Sequence, residues 1–355
     1  MSDFDRRDFF KTAGLTGLAL APQTAAARPL TEKQKLDRIA SNTWPVRQLF
    51  KSRTGFGRSG GVAETLKKKY GEITMLDFPQ FTKDTFPGVT HMDLFSGLFG
   101  DVADDSMYVK VPVFVGTQTR VTQEFDPSTD SGKRWLGKLA DKMAATGTKC
   151  QHISNNAPRD ICELDVEKRK AGIAVAKNWL DAGKILGAKS MRVNSGGPRV
   201  LPPPSNGPDG YPKSDDIAQY LRNCIESFKE MADYGGKVGV KVTLENHWGL
   251  TANPTNIRII IDEVKNPYCE ASPDFCNWEH EYLLYNGLKA LAPYAHTNVH
   301  AKYWSRWKDN NDVRRSVKIM QDAKFEGTYA LEYEEGPWDG VEGAKYLYKE
   351  VLAAL

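Results

Sequence analysis

Cysteine is scarce in this chain of 355 residues: there are five, Cys150, Cys162, Cys224, Cys269 and Cys276. None forms a CxxC pair, which argues against a zinc knuckle or a dithiol redox motif. Their odd number and apolar surroundings point to buried free thiols, with Cys269 and Cys276 as the one pair that could join. No Lys/Arg run is long enough to mark a nucleic-acid face, and the net charge is only +3. A nucleic-acid-binding face is therefore not expected. No low-complexity linker or long charge block divides the chain, so one folded domain is expected. No GxGxxG follows the first apolar segment, which weighs against an open dinucleotide-binding sheet. Histidine is also sparse: six, well spread.

What is present begins at the N-terminus. Arg6-Arg7 precede Phe9, Phe10 and Lys11, a weakly apolar run Thr12–Ala21 follows, and Ala25-Ala26-Ala27 completes the pattern. This resembles a twin-arginine (Tat) export signal with its cleavage site over residues 1–27. The apolar run is too short and too rich in Gly and Thr to span a membrane permanently. The resemblance implies the Tat export machinery as a partner and a periplasmic or secreted destination. Residues 28–71 read as an N-terminal extension, and 72–355 as the folded domain.

From residue 72 strands and helices alternate. Strand patterns fall at 72–78 (EITMLDF), 89–95, 149–154, 189–196, 240–246, 268–275, 297–304 and 327–334. Helical spacing falls at 131–147, 166–188, 215–239, 253–266, 279–295, 312–325 and 341–355. Eight strands mostly alternating with helices imply an α/β fold, a (β/α)8 TIM barrel with long loops near 96–130 and 197–214.

In such a barrel the active site lies at the C-terminal ends of the strands. The last four tips carry Glu245 (VTLENH), Asp274 (SPDF), His300 (NVHAK) and Glu332 (ALEYE). They are separated by 29, 26 and 32 residues, about one strand–helix unit each. Three carboxylates and one imidazole around one point suit a divalent cation: Mn²⁺, Co²⁺ or Mg²⁺, with Zn²⁺ also compatible. Each residue alone has a plainer role in a salt bridge or core; four in register make a metal site. His247 follows Glu245 at the same tip, as substrate donor, proton relay or support for a neighbouring carboxylate. His152 on its strand and Lys302, two residues after His300, are further candidates for touching substrate. Trp248, Trp278, Trp304 and Trp338 lie just beyond strand tips, where one or two could form an aromatic wall for a sugar ring, although loop packing is the plainer role for each.

VTLENH, SPDF, NVHAKYWSR and ALEYE together resemble the xylose-isomerase-like TIM barrels, the sugar phosphate isomerase/epimerase superfamily, from about residue 72 to the C-terminus. The resemblance implies metal ligation by Glu245, Asp274, His300 and Glu332, and an oxyanion-stabilising role for Arg306, six residues after His300. Ketose 3-epimerases of this group place a His three residues after the metal Asp; Asn277 stands there instead, so a substrate hydroxyl would meet an amide.

The chemistry implied is proton abstraction α to a carbonyl through an enediolate, on a free sugar, keto-sugar or glycoside. Glu245 and Glu332, facing each other across a closed barrel, would remove and return the proton. Return to the same carbon gives epimerisation and to the adjacent carbon isomerisation. Loss of a β-leaving group would make the enzyme a 3-keto-glycoside lyase. A non-catalytic sugar-binding barrel and a nuclease of the endonuclease IV type are the other readings; the latter needs many more His ligands. The resemblance leaves room for a homo-oligomer.

Overall fold

The computed structural model describes residues 29–53, 61–115, 118–196, 205–206, 212–213 and 215–355. The leader read over 1–27 lies outside them.

Eight parallel strands run in the order β10-β9-β6-β5-β2-β1-β12-β11. They are β1 (Ile39–Asn42), β2 (His91–Phe95), β5 (Lys149–Ser154), β6 (Ser190–Arg192), β9 (Lys241–Leu244), β10 (Cys269–Ala271), β11 (Asn298–Trp304) and β12 (Thr328–Glu335). The two ends of that order meet at a parallel bridge between Asp274 and His300. There the His300 amide donates to Pro273 O and the Phe275 amide donates to His300 O, both at 3.1 Å. The sheet thus curls into a ring, the TIM-barrel arrangement.

The α-helices are α1 (Glu32–Leu36), α2 (Gly61–Tyr70), α3 (Phe78–Thr85), α4 (Asp130–Thr146), α5 (Val166–Leu186), α6 (Asp215–Val238), α7 (Pro254–Val264), α8 (Leu283–Leu291), α9 (Val313–Asp322) and α10 (Gly340–Ala354), and four further strands lie outside the eight-stranded sheet. Those are β3 (Tyr108–Val115) and β4 (Gln118–Phe125), an antiparallel hairpin, and the two-residue pair β7 (Ser205–Asn206) and β8 (Pro212–Lys213). Local chemistry sets the helix ends. Asp165 accepts from the amides of Glu167 and Lys168 at the start of α5, and Gly187 ends it at φ 68°. Asn253 caps α7 ahead of Pro254.

Two expectations are corrected. The segment 72–78 is not the first barrel strand. Ile73 makes a single bridge to Phe50, and the Asp77 carboxylate accepts from Thr74 N and Oγ1, which bends the chain into α3. The first strand is β1, inside the stretch read as an extension; it pairs with β2 on one side and β12 on the other. The stretch 96–130 is not a plain loop, because it folds into the β3–β4 hairpin.

Strand alternation divides the sheet's two faces. Val242, Leu244, Met92 and Leu331 join the apolar core, and Trp179 and Leu180 of α5 belong to the same cluster. The opposite face is unusually polar for a barrel interior, where branched apolar residues normally dominate. Asp93, His152, Ser190, Thr243, Asn298 and Thr328 are all buried. They are tied by hydrogen bonds such as Thr328 Oγ1 to Asn298 Oδ1 at 2.7 Å and Asn298 Nδ2 to Asp93 Oδ2 at 3.2 Å. A barrel that fills its centre with hydrogen-bonded polar groups is specifying geometry there, since such groups are costly unless satisfied.

Candidate metal centre and substrate cleft

Glu245 follows β9, Asp274 follows β10, His300 lies in β11 and Glu332 in β12, and all four are buried. His300 Nδ1 is the hub. It lies 3.4 Å from Glu245 Oε2, 3.6 Å from Glu332 Oε2 and 3.9 Å from Asp274 Oδ2. The other ring nitrogen, Nε2, is 2.9 Å from Asp93 Oδ2 and 3.2 Å from Ser154 Oγ. With Nε2 engaged by Asp93, Nδ1 is the ring nitrogen turned toward the carboxylates. Neither His300 Nδ1 nor Asp274 Oδ2 has a hydrogen-bond partner, although both are buried. Two orphaned ligand atoms converging with two further carboxylates fit a divalent cation. A second grouping, Asp93, His152 and His300, also clusters. Asp93, however, already accepts from His300, Ser154, Asn298 and Asn42. It serves as a support, not a vacant ligand.

Cations balance the cluster. Arg192, in β6, pairs with Glu245 Oε2 at 2.5 Å. Burial alone would raise the Glu245 pKa, but Arg192 and His300 outweigh it and hold the group well below the usual range. Burial pushes Asp274 up to about 7 despite the Lys302 ammonium nearby. Lys302 Nζ lies 2.9 Å from Glu332, 3.5 Å from Asp274 and 3.0 Å from Glu334. Burial would discharge this lysine, yet those three carboxylates keep it firmly protonated. Asn277 donates to Glu245 Oε1 at 2.9 Å and accepts from Lys302 at 3.1 Å. Its amide therefore locks one candidate ligand to the ammonium. Asn246 is a scaffold: it exchanges hydrogen bonds with the backbone of Asp274.

A cleft opens beside the cluster, lined by Trp44, Phe95, Ser154, Asn156, Arg192, His247, Lys302, Glu332 and Glu334. His247 has a buried Nδ1 without a hydrogen bond, and burial pulls its pKa down to about 4. His152 does not line the cleft. It is fully buried, its Nδ1 2.8 Å from Ser190 Oγ, and its pKa is likewise down to about 4 through desolvation. Arg306 is not brought to the cluster: it is exposed, donates to Glu279 O and lies over the rings of Trp304 and Trp307. Its spacing from His300 carries it past the strand tip into the following turn. None of Trp248, Trp278, Trp304 and Trp338 lines the cleft; the aromatic wall is Trp44 with Phe95, ring centroids 5.0 Å apart.

Sequence reasoning had not singled out Asp93, Ser154, Trp44 or Glu334. A charged residue inside the apolar strand HMDLF was the available signal for Asp93. All five cysteines are free and buried.

Fold and site define a parallel (β/α)8 barrel with a carboxylate–imidazole cluster at the C-terminal ends of its strands. Residues 114–353, more than half the chain, match the model of the Xylose isomerase-like TIM barrel family, and the chain belongs to that family. No curated protein matches the sequence. Solved structures share the fold at low identity. L-ribulose 3-epimerase is 13% identical with a TM-score of 0.58, covering 89% of this chain and 94% of its own. The 3-keto-D-glucoside 4-epimerase of E. coli is 12% identical with a TM-score of 0.54, covering 88% and 99%. A xylose isomerase-like TIM barrel protein from Mycobacterium smegmatis, in complex with magnesium, is 14% identical with a TM-score of 0.53, covering 89% and 97%.

Proposed function

We propose that the protein is a metal-dependent sugar isomerase or epimerase that works by proton abstraction α to a carbonyl. The observation that carries this reading is the orphaned His300 Nδ1, ringed by Glu245, Asp274 and Glu332 beside the cleft. These four residues would hold one divalent cation, Mg²⁺, Mn²⁺ or Co²⁺, with Zn²⁺ also compatible. When bound, the cation would polarise the substrate carbonyl and acidify the adjacent C–H.

The remaining work belongs to the chain. Glu332 lines the cleft and is the carboxylate best placed to take or return a proton. Glu245 comes from a strand separated from that of Glu332 by two others in the ring, so it serves the opposite face of the substrate. Arg192 and Asn277 keep Glu245 oriented and anionic. Lys302 supplies positive charge beside the developing oxyanion, the role expected of Arg306. Structural neighbours named as an L-ribulose 3-epimerase and a 3-keto-D-glucoside 4-epimerase support a sugar or keto-glycoside as substrate. Export through the Tat route, to the periplasm or beyond, is part of the proposal and rests on the leader pattern of residues 1–27.

The test is proton NMR in D₂O with metal-loaded protein and a panel of free ketoses and 3-keto-glycosides. Deuterium at one carbon, with an epimer or isomer formed, supports the reading. Release of aglycone with an unsaturated sugar would make the enzyme a lyase. Metal binding without exchange on any sugar would point to a non-catalytic barrel.

A further inference from the structure

Glu334 is a second carboxylate in the cleft, one that the metal cluster does not use. It lies two residues beyond Glu332 in β12, at a break in the strand pairing. Tyr303 of β11 faces Tyr333, but Trp304 faces Glu335, so Glu334 is the extra residue of a β-bulge. Two residues on from Glu332, its side chain shares that residue's face of the strand, lines the cleft and reaches Lys302.

Its two oxygens are unequal. Oε2 accepts from Trp44 Nε1 at 2.7 Å and lies 3.0 Å from Lys302 Nζ. Oε1 meets Arg47 Nη2 at 3.8 Å, too long for a hydrogen bond. The group is thus clamped through one oxygen, with acceptor capacity left on the other. Held by the Trp44 N–H and the Lys302 ammonium, it presents acceptors only. Trp44, which fixes Oε2, also forms the aromatic wall with Phe95.

We propose that Glu334 is the specificity-determining residue of the cleft, its Oε1 accepting a hydroxyl on the far half of an unphosphorylated sugar whose reacting carbons lie at the metal cluster. A hydroxyl brings the proton that Oε1 needs, and the sugar's C–H face packs on Trp44. A phosphate or carboxylate at that position would bring like charge and no proton. The inference rests on the sugar reading above.

The test uses full-length Mn²⁺-loaded protein, wild type, Glu334→Ala and Trp44→Phe. Each is assayed for exchange on free ketopentoses, ketohexoses and methyl 3-keto-glucoside, with their mono-deoxy and phosphorylated analogues. In the wild type, removing one particular hydroxyl should lower kcat/KM by about 100-fold or more. In Glu334→Ala that discrimination should fall below about threefold, through a KM raised at least about tenfold with kcat little changed. Mn²⁺ affinity, read by EPR, should stay within about threefold. Trp44→Phe keeps the carboxylate but leaves Oε2 held by Lys302 alone, and should weaken the same discrimination less; it carries the test if Glu334→Ala does not fold. Unchanged discrimination in a folded variant, loss of Mn²⁺ binding, or preference for a phosphorylated sugar would overturn the assignment. A wild-type protein that turns over nothing on the panel would instead overturn the sugar reading, and this inference with it.

Discussion

Asp93 aims His300. The imidazole Nε2 sits 2.9 Å from the Asp93 carboxylate, and the opposite nitrogen faces three other carboxylates with no hydrogen bond of its own. A buried carboxylate behind a ligating imidazole fixes its tautomer and ring orientation. Asp93→Ala should therefore lower divalent-cation affinity by about 10- to 100-fold. Isothermal titration with Mn²⁺ reads this directly, and unchanged affinity would remove Asp93 from the site.

Glu332→Gln and Glu245→Gln should each reduce solvent-deuterium exchange into substrate by about 10²- to 10⁴-fold, the usual contribution of a proton-transferring group. The two should differ in which epimer still exchanges, because each serves one face. Equal residual exchange on both faces would argue that a single carboxylate does both transfers.

Lys302 is enclosed by Asp274, Glu332 and Glu334, its side chain only 4% exposed. Lys302→Met would leave buried carboxylates uncompensated, so the metal-free protein should lose about 3–5 kcal/mol in urea unfolding. Millimolar Mg²⁺ or Mn²⁺ should recover much of that loss, since a cation would replace the missing charge. No recovery would mean that the cluster does not take a cation.

His152 stays neutral when folded because burial holds its pKa at about 4, down from 6.5. The unfolded chain takes up the proton first, so stability is full above about pH 6.5 and falls as pH drops from there toward 4. At about 1.4 kcal/mol per unit, the loss is about 3 kcal/mol across that window. His152→Gln should flatten that limb of the stability–pH curve; the slope that persists is set by His247 and His91, shifted in the same direction, against Asp274, shifted the opposite way.

Gly340 opens α10 directly against the backbone of Pro45, where a methyl group would collide with the carbonyl oxygen. Gly340→Ala should cost about 1–3 kcal/mol and displace the segment that carries Trp44. Thermal unfolding reads the first effect. A raised KM without a change in metal affinity reads the second.

Local pattern was enough for much of this. Seven of the eight barrel strands announced themselves through short apolar or alternating runs, because a buried strand must be apolar on at least one face. The recurrence of Glu245, Asp274, His300 and Glu332 at successive tips was legible for the same reason, since one strand–helix unit sets their spacing. The first strand escaped because Ile39–Asn42 is four residues long and ends in Ser-Asn; only its neighbours β2 and β12 make it a strand. EITMLDF misled because core-seeking residues look alike in a strand and in a turn leading to a helix. The sequence by itself thus determined the repeat, and with it which residues stand at the tips. Only closure of the barrel decided that Asp93 supports His300, that Trp44 walls the cleft, that Lys302 and not Arg306 enters the cluster, and that Glu334 meets Trp44. Those relations join residues distant in the chain, and no local periodicity encodes the side-chain geometry at which strands from opposite sides of a ring converge.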